Sequence, residues 1–263
     1  MNILVCLKMV SQARFTDSLR DSRTDRLSGG QLVMNPADSY ALELALRLKD
    51  RRNDIFITVL TMAPQYADHI LRTALAMGAD KAVHICDKAF AGSDTIMTAE
   101  TISRAIKKLP AQDMILCGKK AIDSETGHIG AQLGMMLGIP WVTNVTDISF
   151  GEDSDIELVR SQESSVVGLK LKGRAVLTVC NGTGMVRAPG IIGLRRSREQ
   201  PIELWDRHAL GIEDAQAGTN GSGTQTVSVT ETKFRNRPNK TYGSVREGTE
   251  QICSLIREAC SHG

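Results

Sequence analysis

Through roughly the first 140 residues, short unbroken apolar runs alternate with longer stretches in which apolar side chains recur every third and fourth position. The runs, at residues 3–7, 55–60, 82–85 and 114–117, are rich in Ile, Val and Leu and too short for helices. Each predicts a strand buried on both faces. The stretches between them predict amphipathic helices. Ala41, Leu44, Ala45 and Leu48 share one helical face; Asn35 as cap, Pro36 in the first position and Asp38 at the positive end mark where that helix starts. A second helix begins near Pro64, gathers Ala67, Ile70, Leu71, Ala74 and Leu75, and stops at Gly78, which can adopt the left-handed conformation. A third begins after Ser93 or Asp94 and buries Ile102, Ala105, Ile106 and Leu109. A fourth follows 123–126, turns Ile129, Leu133, Met136 and Leu137 inward, and ends at Gly138-Ile139-Pro140. This alternation predicts an α/β fold, a mostly parallel, Rossmann-like sheet with helices on both faces.

From Trp141 to about Cys180 the pattern changes. Extended segments at 156–159, 165–171 and 175–180, broken by charges, predict a small antiparallel flap and a returning strand. A basic loop follows at 185–198, with Arg187, Arg195, Arg196 and Arg198. Residues 215–226 (AQAGTNGSGTQT) have the composition of a linker. Beyond it, 227–237 reads as extended and 245–259 as a helix with Ile252, Leu255, Ile256 and Ala259 on one stripe. The expected organisation is an α/β domain at 1–212, then a linker and C-terminal arm at 213–263 that docks its stripe on another surface.

Charge narrows the field of partners. With 32 basic and 30 acidic residues the formal net charge is +2, too balanced to argue for nucleic acid or an acidic membrane. No apolar run approaches the ~20 residues that span a bilayer, and the N-terminus lacks the basic and apolar regions of a signal peptide. A cytoplasmic protein without membrane insertion is expected. The six cysteines (Cys6, Cys86, Cys117, Cys180, Cys253, Cys260) show no C-x-x-C spacing, and the five histidines no metal-ligand spacing. Reduced, mostly buried thiols and no metal site are expected. No G-x-S-x-G elbow or other self-contained catalytic group is present, which points to a carrier or binding subunit.

The most informative stretch runs from Cys117 to Gly130 (CGKKAIDSETGHIG). It follows a buried strand and opens a helix, which places it at the carboxyl end of the sheet, where open α/β folds bind ligands. Gly118, Gly127 and Gly130 allow close backbone approach. Thr126, the helix N-terminus and Lys119 or Lys120 suit a phosphate, and Asp123 suits either a ribose hydroxyl or the helix cap. On these residues alone, nucleotide binding and an ordinary strand–helix turn both stand. A second loop, Phe90-Ala91-Gly92-Ser93-Asp94-Thr95, also precedes a helix and offers hydroxyls at Ser93, Thr95 and Thr98. Helix capping explains it by itself; two such loops at the ends of sequential strands favour a dinucleotide. Two further motifs are incomplete. Ser28-Gly29-Gly30-Gln31 is similar to the SGGxDS loop of ATP-pyrophosphatases but lacks its Asp-Ser, and Gly182-Thr183-Gly184 lacks the third glycine of G-x-G-x-x-G.

Three segments, taken as a set, resemble the electron-transfer flavoprotein beta family: MNPADSYALE at 34–43, LRTALAMGAD at 71–80, and the loop Gly118-Lys119-Lys120-Ala121-Ile122-Asp123. The opening VCLKMV at 5–10 resembles the family's first strand and turn, so the match spans about residues 1–145 in order. The resemblance implies an AMP site at Cys6, Asn35 to Asp38, Met62, and Gly118, Lys119, Ala121, Asp123, Thr126, Gly127, His128 and Ile129. Bifurcating members hold a whole FAD there and carry an FAGSDT-like loop, here 90–95, which brings Asp94, Thr95 and Thr98 into the expected site. FAD is favoured, with AMP as the alternative.

The resemblance further implies an alpha subunit as partner, and electron relay between NADH or a dehydrogenase and other acceptors. A bifurcating member would send one electron to a low-potential acceptor such as ferredoxin and the other to a high-potential one. Ala188 stands where the family usually has a Leu that anchors an acyl-CoA dehydrogenase, which implies a different, dedicated dehydrogenase met through 185–198. The rivals from other classes are an adenine-nucleotide-binding regulator of universal-stress-protein type and an ATP-pyrophosphatase-like enzyme.

Overall fold

The computed structural model describes residues 1–12, 31–151, 155–180, 184–225, 227–228 and 240–261. Along the chain the strands and helices are β1 (Asn2–Leu7), β2 (Met9–Gln12), β3 (Gln31–Met34), α1 (Pro36–Arg51), β4 (Phe56–Met62), α2 (Asp68–Met77), β5 (Lys81–Ile85), α3 (Thr95–Lys108), β6 (Met114–Gly118), α4 (Ile129–Leu137), β7 (Trp141–Phe150), β8 (Ile156–Ser161), β9 (Val166–Leu171), β10 (Ala175–Val179), α5 (Ile191–Glu199), β11 (Ile202–Trp205), α6 (Gly218–Gly221) and α7 (Val245–Cys260). Among the described residues nine strands form one sheet in the order β11-β5-β4-β1-β6-β10-β7-β8-β9. Pairing is parallel from β11 to β7 and antiparallel across β7, β8 and β9. A separate antiparallel ribbon joins β2 to β3. The expected α/β architecture and antiparallel flap are both present.

The strands are buried on two faces because helices cover both. Ile3, Val5 and Leu7 of β1 join α1 and α2 in one core, while Leu4 and Cys6 join α3 and Leu133 of α4 in the other. Alternate residues of one strand thus serve opposite cores, as a period of two requires. Gly78, at φ +128, ends α2 as its position predicted; a Cβ there would press on Leu46.

The fourth helix does follow 123–126, starting at Ile129. Several elements differ from expectation. Within the loop expected at 185–198, residues 191–199 are helical. The sequence Ile191-Ile192-Gly193-Leu194 has no clear helical period, and tertiary contacts decide the outcome. Gly193 sits against the Ala76 carbonyl, and Arg72 of α2 donates to the Ser197 and Gln200 carbonyls at 2.6 Å each. The ribbon β2–β3 and the edge strand β11 were not anticipated; β11 spans only four residues after a proline.

The chain divides into two compact units, Met1–Val229 and Thr230–Gly263. In the second, α7 is capped by Ser244, whose hydroxyl accepts from the Glu247 N–H at 3.2 Å. Its Ile252, Leu255 and Ile256 are all more than half exposed. The extended segment expected at 227–237 lies, apart from 227–228, outside the described residues, as does the Ala259 side chain.

Candidate functional site

The chain leaves β1 through α1 to β4 and β5 on one side, then crosses to β6 on the other, so the direction of winding reverses at β1 and β6. The carboxyl ends of strands at such a reversal are where open α/β sheets hold ligands. A cleft of about 390 Å³ opens there, within the size range of cofactor sites. Its floor is Cys6 of β1 with Lys8 just beyond it, Met62 at the end of β4 with Ala63 and Pro64 beyond it, and Cys117 and Gly118 of β6.

One wall is the loop 118–128, and the start of α1 holds it. Asp38 is buried, with one oxygen accepting from the Lys8 N–H at 2.7 Å and the other from the Gly118 N–H at 2.9 Å. Asn35 occupies the cap position of α1 but makes no side-chain cap bond. Its amide instead donates to the Lys120 carbonyl at 3.1 Å and accepts from the Ile122 N–H at 3.2 Å. The Asn-Pro-x-Asp sequence starts α1 where its pattern predicted, and its side chains also tie the ends of β1 and β6 together. Gly118 is required at this junction, since a Cβ would meet the Asp38 carboxylate and Ala37.

Burial pushes the Asp38 carboxyl up to about 6, against its N–H donors, which favour the charged form. Burial, and then the Asp38 charge, push the Cys6 thiol up to about 12; burial also raises that of Cys117. Both thiols are therefore neutral and poor nucleophiles. Further along the loop, Lys8 pairs with Asp123 at 2.7 Å and Lys120 with Glu125 at 2.9 Å. Asp123 does not cap α4, which has His128 at its cap position. Among the described residues Lys119 makes no ion pair. Thr126, Gly127 and His128 lead exposed into α4, with Gly127 at φ +67.

The facing wall is the turn after β5 and the start of α3. Asp87 caps the short turn Lys88–Phe90, and one oxygen of Asp94 caps α3 by accepting from the Met97 N–H at 2.9 Å. The Thr98 hydroxyl donates to the Asp94 carbonyl at 2.7 Å, and that of Ser93 to the Phe90 carbonyl at 2.8 Å. The Thr95 hydroxyl accepts from the Gln132 amide at 3.1 Å, which leaves its proton free to be donated.

Of the positions singled out in the sequence, Cys6, Asn35, Asp38 and Met62 line the base of this cleft, Asp94, Thr95 and Thr98 one wall, and Gly118, Lys119, Ala121, Asp123, Thr126, Gly127, His128 and Ile129 the other, whereas Pro36, Ala37 and Gly130 do not line it. Lys8, Ala63 and Pro64 were missed, although their places directly after strands were a usable signal. Ser28 to Gly30 and Gly182-Thr183 lie outside the described residues.

Beyond the cleft, Arg187 clamps the segment after β10 to α1, contacting Glu43 at 2.9 Å and Asp50 at 2.6 Å. Burial would raise the Glu43 carboxyl, but the hydrogen bonds and charge of Arg187 hold it below the ordinary range. Past the clamp, Met185, Ile191 and Ile192 are almost fully exposed. Among the described residues no helix is long and apolar enough to cross a membrane.

The family model for the electron transfer flavoprotein domain matches residues 28–210, which includes both walls of the cleft. The chain belongs to the electron transfer flavoprotein beta-subunit family. It is 36% identical over 235 residues to the electron transfer flavoprotein subunit beta of Megasphaera elsdenii, covering 87% of each chain. It is 35% identical over 225 residues to the caffeyl-CoA reductase-Etf complex subunit CarD of Acetobacterium woodii, covering 86% of each. Protein FixA of Azotobacter vinelandii is 32% identical over 244 residues, 90% of this chain and 86% of its own. As a family member the chain has a role in electron transfer.

Proposed function

We propose that this chain is the beta subunit of a cytoplasmic, heterodimeric electron-transfer flavoprotein, and that its cleft holds FAD and takes part in electron bifurcation. The observation that carries this reading is that two strand-end loops, 90–95 and 118–128, open on one cleft. A mononucleotide needs only one such wall; a dinucleotide has reason to use both. The residues present fit the group. Gly118 and Gly127 bring backbone close, Lys119 has no ion pair among the described residues, and Thr95 has a proton to donate. When bound, the flavin ring accepts and gives up electrons one or two at a time; the protein binds it, orients it and sets its electrostatic surroundings.

Electrons would enter in pairs from NADH or a dehydrogenase, one of each pair reaching a low-potential acceptor such as ferredoxin and the other passing to a high-potential acceptor, with a flavin in the alpha subunit carrying electrons onward. The exposed stripe of α7 suits the alpha subunit as its dock. The exposed Met185, Ile191 and Ile192, with the exposed Arg195, Arg196 and Arg198, suit a dedicated dehydrogenase. Arg187 is engaged with α1 and serves to hold that surface. The similarity to CarD, a subunit of an enzyme–Etf complex by its name, supports a dedicated partner.

Titrating the nucleotide-stripped alpha–beta complex tests the site. FAD should bind to the beta chain more tightly than AMP, with AMP competing for the same cleft. Binding of AMP alone would move the protein to the simple, non-bifurcating carriers, and binding of neither would overturn the site.

A further inference from the structure

We infer, on the nucleotide reading above, that residues 217–225 form a strap that holds the 90–95 wall in place, so that nucleotide binding and strap docking strengthen one another. The composition of this stretch is that of a linker, yet it is built into the wall. Gly218, at φ +53, lies so close to the preceding turn that a Cβ would meet the carbonyl oxygens of Ala89 and Ala91. The Thr219 N–H and hydroxyl both donate to the Ala91 carbonyl, at 3.1 and 3.3 Å. From the other side, Gly92 is at φ +75, and a Cβ there would meet the Thr219 side chain. A glycine on each face of the contact, each in a conformation that L side chains rarely adopt, marks a close fit between two backbones.

Asp94 joins the strap to the wall. Its N–H donates to the Ser222 hydroxyl at 2.9 Å, and that hydroxyl donates onward to the Gly218 carbonyl at 2.7 Å. One carboxylate oxygen caps α3, and the other accepts from the Thr224 N–H and hydroxyl at 3.2 and 3.3 Å. Both oxygens are therefore engaged by protein donors, and Asp94 is a positioning residue acting through α3 and the strap. Ser222 and Thr224 do not line the cleft, whereas Gly92, Asp94 and Thr95 do. A change at the strap reaches the nucleotide only through the wall. Coupling of this kind is reciprocal, since a ligand that orders the wall must favour the docked strap by the factor by which docking favours the ligand. In sequence the strap leads on to the second unit at Thr230, so it is also the covalent route from the cleft to the arm.

The test is hydrogen–deuterium exchange on the full alpha–beta complex, stripped of nucleotide and titrated with FAD. Exchange is followed in peptides of this chain, so that flavin bound elsewhere does not count. FAD should slow exchange at both 90–98 and 217–225. The near-isosteric Thr224→Val and the smaller Ser222→Ala should speed strap exchange in the absence of FAD. They should also raise the FAD concentration for half-protection of 90–98 by about 5- to 10-fold, near the lower end of typical coupling. Gly218→Ala should do so more strongly. Asn220→Ala, whose side chain bonds the Asp214 carbonyl away from the wall, should match the unmodified chain. If FAD protects 90–98 while the strap is unaffected and the variants titrate normally, the linkage is overturned and the nucleotide reading stands. If FAD protects neither wall, both are overturned.

Discussion

The two walls of the cleft do the same job with different materials. The 118–128 wall is fixed from beneath by Asn35 and Asp38, two side chains almost wholly removed from water, set between β1, α1 and β6. The 90–95 wall is fixed from outside by a short strap, whose hydrogen bonds run from the buried Asp94 to the exposed contact at the Ala91 carbonyl. Buried polar groups are costly to leave unpaired, while a solvated bond contributes only about 0.5–1.5 kcal/mol net. The first wall should therefore fail only when the fold fails, and the second can open while the domain stays folded. A site that must admit a long ligand gains from one rigid wall and one that can yield.

Removing the Asp38 carboxylate is the severest way to break this comparison. Asp38→Ala leaves the partly buried N–H groups of Lys8 and Gly118 without acceptors and should destabilise the domain by roughly 2–5 kcal/mol. Urea unfolding would measure it, and a loss within error of zero would show that the first wall is not held in this way.

A change of pH probes the same group more gently. The Asp38 pKa rises on folding from its ordinary value, about 4, to about 6. Between those values the folded chain keeps a proton that the unfolded chain releases. The group's contribution to stability is therefore present below about pH 4, is lost as the pH rises through about 6, and is flat above. The loss is about 3 kcal/mol. Asp38→Asn has no such titration, so the stability difference between the two proteins should change by about that amount across this window. Parallel pH profiles would contradict it.

The smallest expected effect belongs to the other wall. Asp94→Ser keeps a cap for α3 but cannot reach Thr224, so it should cost only about 1 kcal/mol in unfolding while weakening nucleotide binding measurably. A cost as large as that of Asp38→Ala would erase the distinction between the walls.

The same contrast separates what was legible in the sequence from what was not. Strand runs, helix periods and Gly78 gave away the α/β frame because local preference and tertiary structure agree there. The cleft followed from the loops after β5 and β6, and the family resemblance added Cys6, Asn35, Asp38 and Met62. The partners of particular side chains were hidden. Asn35 and Asp38 carry ordinary helix-start chemistry, and only the fold brings Lys120, Ile122 and Gly118 within their reach. The docking of 217–225 was hidden for the opposite reason. A stretch of Gly, Thr and Ser has no period of its own, and its order comes from the backbone of the 89–92 turn and from Asp94, against which it lies. The α5 helix is likewise a product of its seat on Arg72 and Ala76.

The central claim is that both walls serve one long ligand, and the content of the purified complex tests it most directly. Denaturing the alpha–beta complex and separating the released nucleotides by chromatography should yield two FAD per pair, one of them from this chain's cleft. One FAD and one AMP per pair would contradict the account, leaving the 90–95 wall without the ligand it is proposed to hold.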